Sequence, residues 1–343
     1  MELKITTRRL SLTYFFIHAL VELVCFALLN QKLGPGLSFI IAFVFDFFAF
    51  VPQAIFGELN NRFKKLDIGS LGVILMLCSI FVLNLASGIS YLLGIVLLGL
   101  GNALIHEAGA IATVTVSRGK LFPSALFVSG GSFGLIIGQT MGRFGINNYY
   151  LILPIIIIEV LILLTNPIWL VSHRKTPSFQ ITMEGKSEWL IILVAFIVTT
   201  VRSYIGYAIP ISWNKTLWQS FCLFFIMGAG KAMGGYLSDR IGPKKTGVYS
   251  TILCIPFLLI GKNIMLLSII GVFLFSMTMS ICFGMLLSVI RENPGLAFGV
   301  TTLGLFLGAC PMLLWGALDH RSNCILIIVF SLLSALGLYK TLR

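Results

Sequence analysis

The chain has 343 residues, 58% of them hydrophobic and 10% charged, with a mean hydropathy of +1.01. Soluble domains carry about 25% charged residues, so a soluble fold is excluded. The net charge of +12 invites a nucleic-acid partner, and the placement of the charges removes that reading.

One helical crossing of a bilayer needs roughly 20 apolar residues. Twelve such runs occur, at 12–30, 37–57, 67–86, 90–116, 121–142, 150–172, 188–210, 216–237, 246–262, 264–290, 296–317 and 323–340. They are continuous rather than alternating, which predicts helices and not a barrel. With the N-terminus in the cytoplasm, seventeen Lys and Arg fall on the inner side, among them Arg8, Arg9, Arg62, Lys64, Lys65, Arg240, Lys244 and Lys245. Five fall outside (Lys32, Arg143, Lys215, Lys262, Arg321), and Arg202 and Lys231 fall within spans. This is the bias of the positive-inside rule. It predicts a multi-pass protein of the cytoplasmic (inner) membrane with both termini in the cytoplasm. The basic N-terminus followed by an apolar run lacks a cleavage site and reads as the first helix rather than a signal peptide. Seven cysteines are scattered without C-x-x-C and read as membrane-buried thiols.

Span 1 carries His18 and Glu22, whose i, i+4 spacing puts both on one face. A charge at mid-bilayer costs on the order of 3 kcal/mol, so such groups face a bundle interior or a watery cavity. Either they carry protons or they form a structural pair that locks two helices. Span 2 contains Asp46, then Pro52 and Gln53; Asp46 invites the same two readings, and Glu58 at the membrane edge reads as solvated. A tight outer loop, Gly34-Pro35-Gly36, precedes it. Span 4 holds Asn102, His106 and Glu107. Adjacent helical residues point about 100° apart, so His106 and Glu107 cannot both face one axis. In span 5, Gly130, Gly134, Gly138 and Gly142 recur every fourth residue and predict a smooth groove for a close neighbouring helix. Arg202 lies deep in span 7, where a guanidinium offers bidentate bonds to a carboxylate or phosphonate. Lys231 in span 8 reads as a snorkelling lysine near the inner loop.

Two polar loops resemble each other. Gly57-Glu-Leu-Asn-Asn61-Arg62-Phe-Lys64-Lys65 and Gly235-Tyr-Leu-Ser-Asp239-Arg240-Ile-Gly242-Pro-Lys244-Lys245 each lie between two apolar runs, one in each half of the chain. This predicts an internal repeat of the kind that builds secondary transporters. The halves are residues 1–172 and 188–343, each a six-helix bundle, joined by a cytoplasmic linker at 173–187. Gly57, Asn61, Arg62, Gly235, Asp239 and Arg240 are the candidate gating residues.

The second loop resembles the one joining helices 2–3 and 8–9 in the major facilitator superfamily. Further elements occur in order: His18-x-x-x-Glu22, Gln53, Gly99-x-Gly101-x-Ala103-x-x-His106, the span 5 glycines, Arg202-Ser203 with Pro210, Asn293-Pro294-Gly295, and Gly316-Ala-Leu-Asp319. Together they resemble the fosmidomycin-resistance family of that superfamily. Departures are Glu107 following His106 directly where the family has His-Pro-Glu-Gly, and Asn61 where the superfamily loop carries Asp.

The resemblance implies an all-α membrane protein of twelve helices and proton-coupled efflux (proton antiport) of a small drug or anionic metabolite, hence drug resistance. The candidate proton-coupling residues are Glu22, His18 and Asp46. The candidate substrate-binding residues are Arg202, His106 and Asn102. The expected partners are a small-molecule substrate, protons and the lipid bilayer, with a monomeric chain and no nucleic acid. No Walker loop, G-x-S-x-G or H-E-x-x-H is present, so no enzyme, cofactor or resident metal is expected. The alternatives are proton-coupled uptake of a small organic anion, transport of a divalent metal by His18, Glu22, Asp46 and His106, and a membrane sensor or scaffold that moves nothing.

Overall fold

The computed structural model of the chain describes residues 6–32, 38–85, 89–165, 175–316 and 318–343. The Gly34-Pro35-Gly36 loop, the end of the run 150–172 beyond Thr165, and His173 and Arg174 of the linker lie outside the described residues. The helices are α1 (Thr7–Lys32), α2 (Ser38–Phe50), α3 (Gln53–Arg62), α4 (Ile68–Leu85), α5 (Ile89–Thr115), α6 (Phe122–Arg143), α7 (Ile152–Thr165), α8 (Glu188–Ala208), α9 (Leu217–Ile241), α10 (Pro243–Ile260), α11 (Met265–Ser276), α12 (Met279–Val289), α13 (Pro294–Trp315) and α14 (His320–Thr341).

Among the described residues, eleven helical segments are long and apolar enough to cross a bilayer. The chain is a multi-pass membrane protein. The run expected at 246–262 is the helix α10, whose opening Pro243-Lys244-Lys245 turn dilutes its hydropathy. Two expected spans are each made of two helices, α2 with α3 and α11 with α12. The first break falls at Pro52, which has no N–H to give to a helical ladder. Exposed Trp189, Trp218 and Trp315 sit at the ends of α8, α9 and α13, the depth at which indole rings meet the membrane interface.

The closest packing is between α1 and α6. A Cβ on Gly130, Gly134, Gly138 or Gly142 would fall against the backbone oxygen of Phe15, Ala19, Leu23 or Ala27 respectively. The four-residue periods of the two helices match, so the expected glycine groove is occupied by α1 along its length. A second such seam joins α13 to α8, where Gly304 and Gly308 meet the backbone at Phe196 and Thr200. With no side chains between them, these pairs gain dispersion contact directly between backbones.

At the end of the bundle that carries the basic loops, two more contacts close the structure. The Asp239 carboxylate, at the end of α9, accepts from the backbone N–H groups of Leu121 (2.8 Å) and Phe122 (2.9 Å). It thereby satisfies two orphan donors at the start of α6 and meets the positive end of that helix. Gly235, one turn earlier, lets α9 approach Ala125 and Phe122. On the other side, α3 and α13 cross with Gly57 against Gly295 and Ala54 against Gly299.

Here the matching position, Asn61, makes no side-chain hydrogen bond among the described residues. Glu58 takes up the role instead, accepting from Arg62 Nε (2.7 Å) and Asn293 Nδ2 (2.8 Å). Glu58 is thus a bridging residue, contrary to its reading as merely solvated. Arg240 stays exposed, its guanidinium 5.4 Å from the Tyr236 ring centroid. The linker is tied down beside α14: Met183 N donates to Thr341 O (3.0 Å), and Arg343 pairs with Glu184.

Two outcomes follow from these contacts. Gly134→Ala forces a methyl onto Ala19 O and lowers stability by about 2 kcal/mol, as overpacking does, whereas Gly206→Ala, whose nearest neighbour is 3.9 Å away, is close to neutral; thermal unfolding of the purified protein compares them. Asp239→Ala removes the α6 cap, costs about 1 kcal/mol, and increases labelling of the basic end by a membrane-impermeant reagent.

Candidate functional site

The polar cluster at the centre is built by α1 and α5. His18 and Glu22 lie one turn apart on α1, and Asn102 and His106 one turn apart on the facing side of α5. Gly131 of α6 leaves room for the His18 ring, because a Cβ there would fall on its Nε2. His18 and His106 are buried, and Glu22 is half-buried.

The hydrogen bonds leave little freedom. His18 Nδ1 lies 2.9 Å from Phe127 O, and His106 Nδ1 lies 2.8 Å from Asn102 O. A carbonyl oxygen only accepts, so both Nδ1 atoms carry a hydrogen and donate. The two Nε2 atoms then face each other at 2.7 Å. In two neutral rings these would be two lone pairs in contact. One added proton between them converts the contact into a charge-assisted hydrogen bond. Glu22 Oε1 lies 3.2 Å from His106 Nε2 and 3.9 Å from His18 Nε2, placed to balance such a proton. Asn102 Nδ2 donates to the same oxygen at 3.0 Å. The Phe127 ring covers the cluster, its centroid 4.9 Å from that of His18.

The donor atoms of His18, Glu22 and His106 lie within 4.8 Å of one another, an arrangement that invites a divalent cation. Two donors on a tetrahedral metal at 2.0–2.1 Å stand about 3.3 Å apart, and the His–His contact is 2.7 Å. The spacing fits a shared proton better than a metal ion. Asp46 is not part of this group of three.

The other expected residues are arranged around this centre. Asp46 is half-buried on α2, within electrostatic reach of Glu22 and of Tyr207 on α8. Arg202 is buried on α8, its guanidinium stacked 4.1 Å from the Phe275 ring centroid beside Cys254 and Cys282. No carboxylate pairs with Arg202 among the described residues. The candidate gating residues Gly57, Asn61, Arg62, Gly235, Asp239 and Arg240 lie apart from the cluster, at the basic end. Glu107 points away from His106 toward Gly295.

Lys231 is the residue that sequence reasoning misplaced. It lies ten residues before the end of α9, about 15 Å at 1.5 Å per residue, too deep to snorkel. Its Nζ donates to Ser132 Oγ of α6 at 3.0 Å, and Glu22, His18 and Arg202 all lie within its electrostatic reach. Its signal in the sequence was its distance from Arg240, more than two turns.

No protein-family model matches the chain, and no curated protein matches it. Solved structures do. The E. coli fucose:proton symporter FucP aligns over 96% of this chain and 97% of its own, with TM-score 0.65 and 15% identity. A FucP structure in the outward conformation gives TM-score 0.64 and 16% identity, over 96% of this chain and 97% of that one. The human organic anion transporter MFSD10 aligns over 98% of this chain and 100% of its own, with TM-score 0.66 and 15% identity. At these identities the likeness shows the fold alone: the chain has the fold of a major facilitator superfamily transporter.

Proposed function

We propose that the chain is a proton-coupled secondary transporter of a small organic anion, working by alternating access. The observation that carries the reading is the His18–His106 contact. Backbone carbonyls hold both rings as Nδ1 donors, so the 2.7 Å gap between the Nε2 atoms is a seat for one proton. Glu22, held by Asn102, balances its charge. Loss of the proton restores the facing lone pairs and drives α1 and α5 apart, which links protonation to conformation. Asp46 lends a further negative charge on the route to the cluster.

The substrate side rests on Arg202 and Lys231. Arg202 is a buried guanidinium without a carboxylate partner among the described residues, and Lys231 is a second cation within its reach. A carboxylate or phosphonate bridging them gains charge-assisted hydrogen bonds in a low dielectric. His106 and Asn102, the other expected substrate residues, are held within the adjoining cluster. The electrostatic sign decides the coupling: a bound proton adds positive charge to the site and strengthens anion binding. Proton and anion therefore load together, as symport requires. The second reading is proton-driven efflux. It is supported by the ordered motifs that resemble the fosmidomycin-resistance family, from His18 to Asp319.

The remaining architecture completes the proposal. Helix α10 is the ninth of twelve spans and completes the count, residues 1–172 and 188–343 are the two halves, and the linker 173–187 and both termini face the cytoplasm. The glycine seams α6–α1 and α13–α8 occupy equivalent places in the two halves, which supports the duplication. The setting is a monomer in the cytoplasmic membrane, with no enzymatic step.

Reconstituted vesicles under an imposed pH gradient test this, with small carboxylates and phosphonates as probes. The expected outcome is anion movement along the proton gradient that His18→Gln and His106→Gln each uncouple while gradient-free exchange persists. Lys231→Met weakens anion binding by about ten- to a hundredfold, the effect of losing a bond worth roughly 1.5–3 kcal/mol. Movement of the probe against the proton gradient selects the efflux reading. A failure to move any probe selects a sensor or scaffold.

A further inference from the structure

Glu107 is buried completely, and neither carboxyl oxygen has a hydrogen-bond partner among the described residues. It sits on α5 beneath the crossing of α3 and α13. A Cβ on Gly295 would fall on its Oε1, and Gly57 of α3 lies against the same stretch of α13. Apolar Leu104, Ala108 and Ile111 surround it on its own helix, with Phe56 of α3 packed beside them. An ionised carboxylate cannot persist in such a place without a cation, water or donors.

Among the described residues, no charge faces it from the elements packed on α5; Arg8, Arg9 and Lys32 of α1 lie at the ends of that helix. On α1, Tyr14 bonds Thr165, and His18 and Glu22 belong to the cluster on the other face. On α2, Asp46 lies within electrostatic reach of Glu22 and Tyr207 and does not act on Glu107. On α3, Glu58 and Arg62 pair with each other. On α4, Asp67 before the first turn bonds Ser70. On α6 the one charged residue is Arg143, at the far end, and α13 carries only Cys310 among titratable groups. On α5 itself the other titratable groups are Tyr91 and His106.

We propose that Glu107 is a second proton-binding residue, distinct from the His18–His106 seat, and that its neutral acid is the form over which α3 and α13 close. When α13 withdraws, water reaches the carboxyl, the O–H proton passes to water and the carboxylate remains. Closure reverses this and takes up one proton at the basic end. The device needs no donor in the closed state because a neutral carboxyl loses far less on burial than an ion. The small side of α13 is part of it. Gly295 gives the carboxyl its room, and any larger residue would occupy the space that the acid fills. The inference rests on the transporter reading only in that the crossing opens and closes.

The test reads protonation and distance rather than transport, so its failure is separable from failure of the transport reading. Infrared spectra of the purified protein at neutral pH show a free carboxylic acid band in the wild type that is lost in Glu107→Gln. Spin labels replacing exposed Phe63 and Glu292, in a variant cleared of native cysteines, report the α3–α13 distance. The wild-type distance lengthens from mildly acidic to alkaline pH, and in Glu107→Gln it stays short throughout. His18→Gln leaves that pH response in place. Absence of the acid band in the wild type, or the same pH response in Glu107→Gln as in wild type, overturns the proposal.

Discussion

The approach of α1 to α6 governs where the His18 cluster sits. Two helices whose backbones touch at four successive turns have no latitude to slide or roll, since any offset drives a Cβ into a carbonyl. His18 is carried on the helix so fixed, and its ring enters the space that Gly131 leaves open. Its Nδ1 then meets Phe127 O, a group that packing alone has positioned. The facing ring of His106 is held in the same manner by the carbonyl one turn before it. The His18–His106 contact is therefore a product of backbone geometry: the side chains contribute nitrogen atoms, and the helices decide which of them must face each other.

Much of this was legible in the sequence. Long apolar runs located the helices because each crossing has to satisfy its own backbone within hydrocarbon. The four-residue glycine period announced a close partner, and His18 with Glu22 announced a shared face. The rest depended on tertiary register. Nothing local to α9 says that Lys231 meets Ser132, because that contact is set by how α9 lies on α6. The direction of Glu107 was equally hidden, since the backbone it faces at Gly295 arrives from much later in the chain. Asn61 looked like a weakened copy of Asp239. In the folded chain the neighbouring turn supplies a different carboxylate, Glu58, to a different donor, Asn293.

The two closures at the basic end thus differ in kind. One is a carboxylate on backbone N–H groups at a helix start, and the other is a side-chain amide on a carboxylate already shared with Arg62. The first loses strength with any substitution that removes the acid. The second can exchange partners, because Arg62 and Asn293 address different oxygens of Glu58.

The bond from Asp239 also makes the integrity of α6 conditional. The acceptor belongs to another helix, so α6 has these two donors satisfied only while α9 stays beside it. Separation returns both N–H groups to solvent and forfeits about 1 kcal/mol, a population factor of roughly five. In the proposed transporter this bond would weight the ensemble toward the conformer shut at the basic end. A molecule passing by that end of the proposed transporter would have to supply the difference from its own interactions with the opened state.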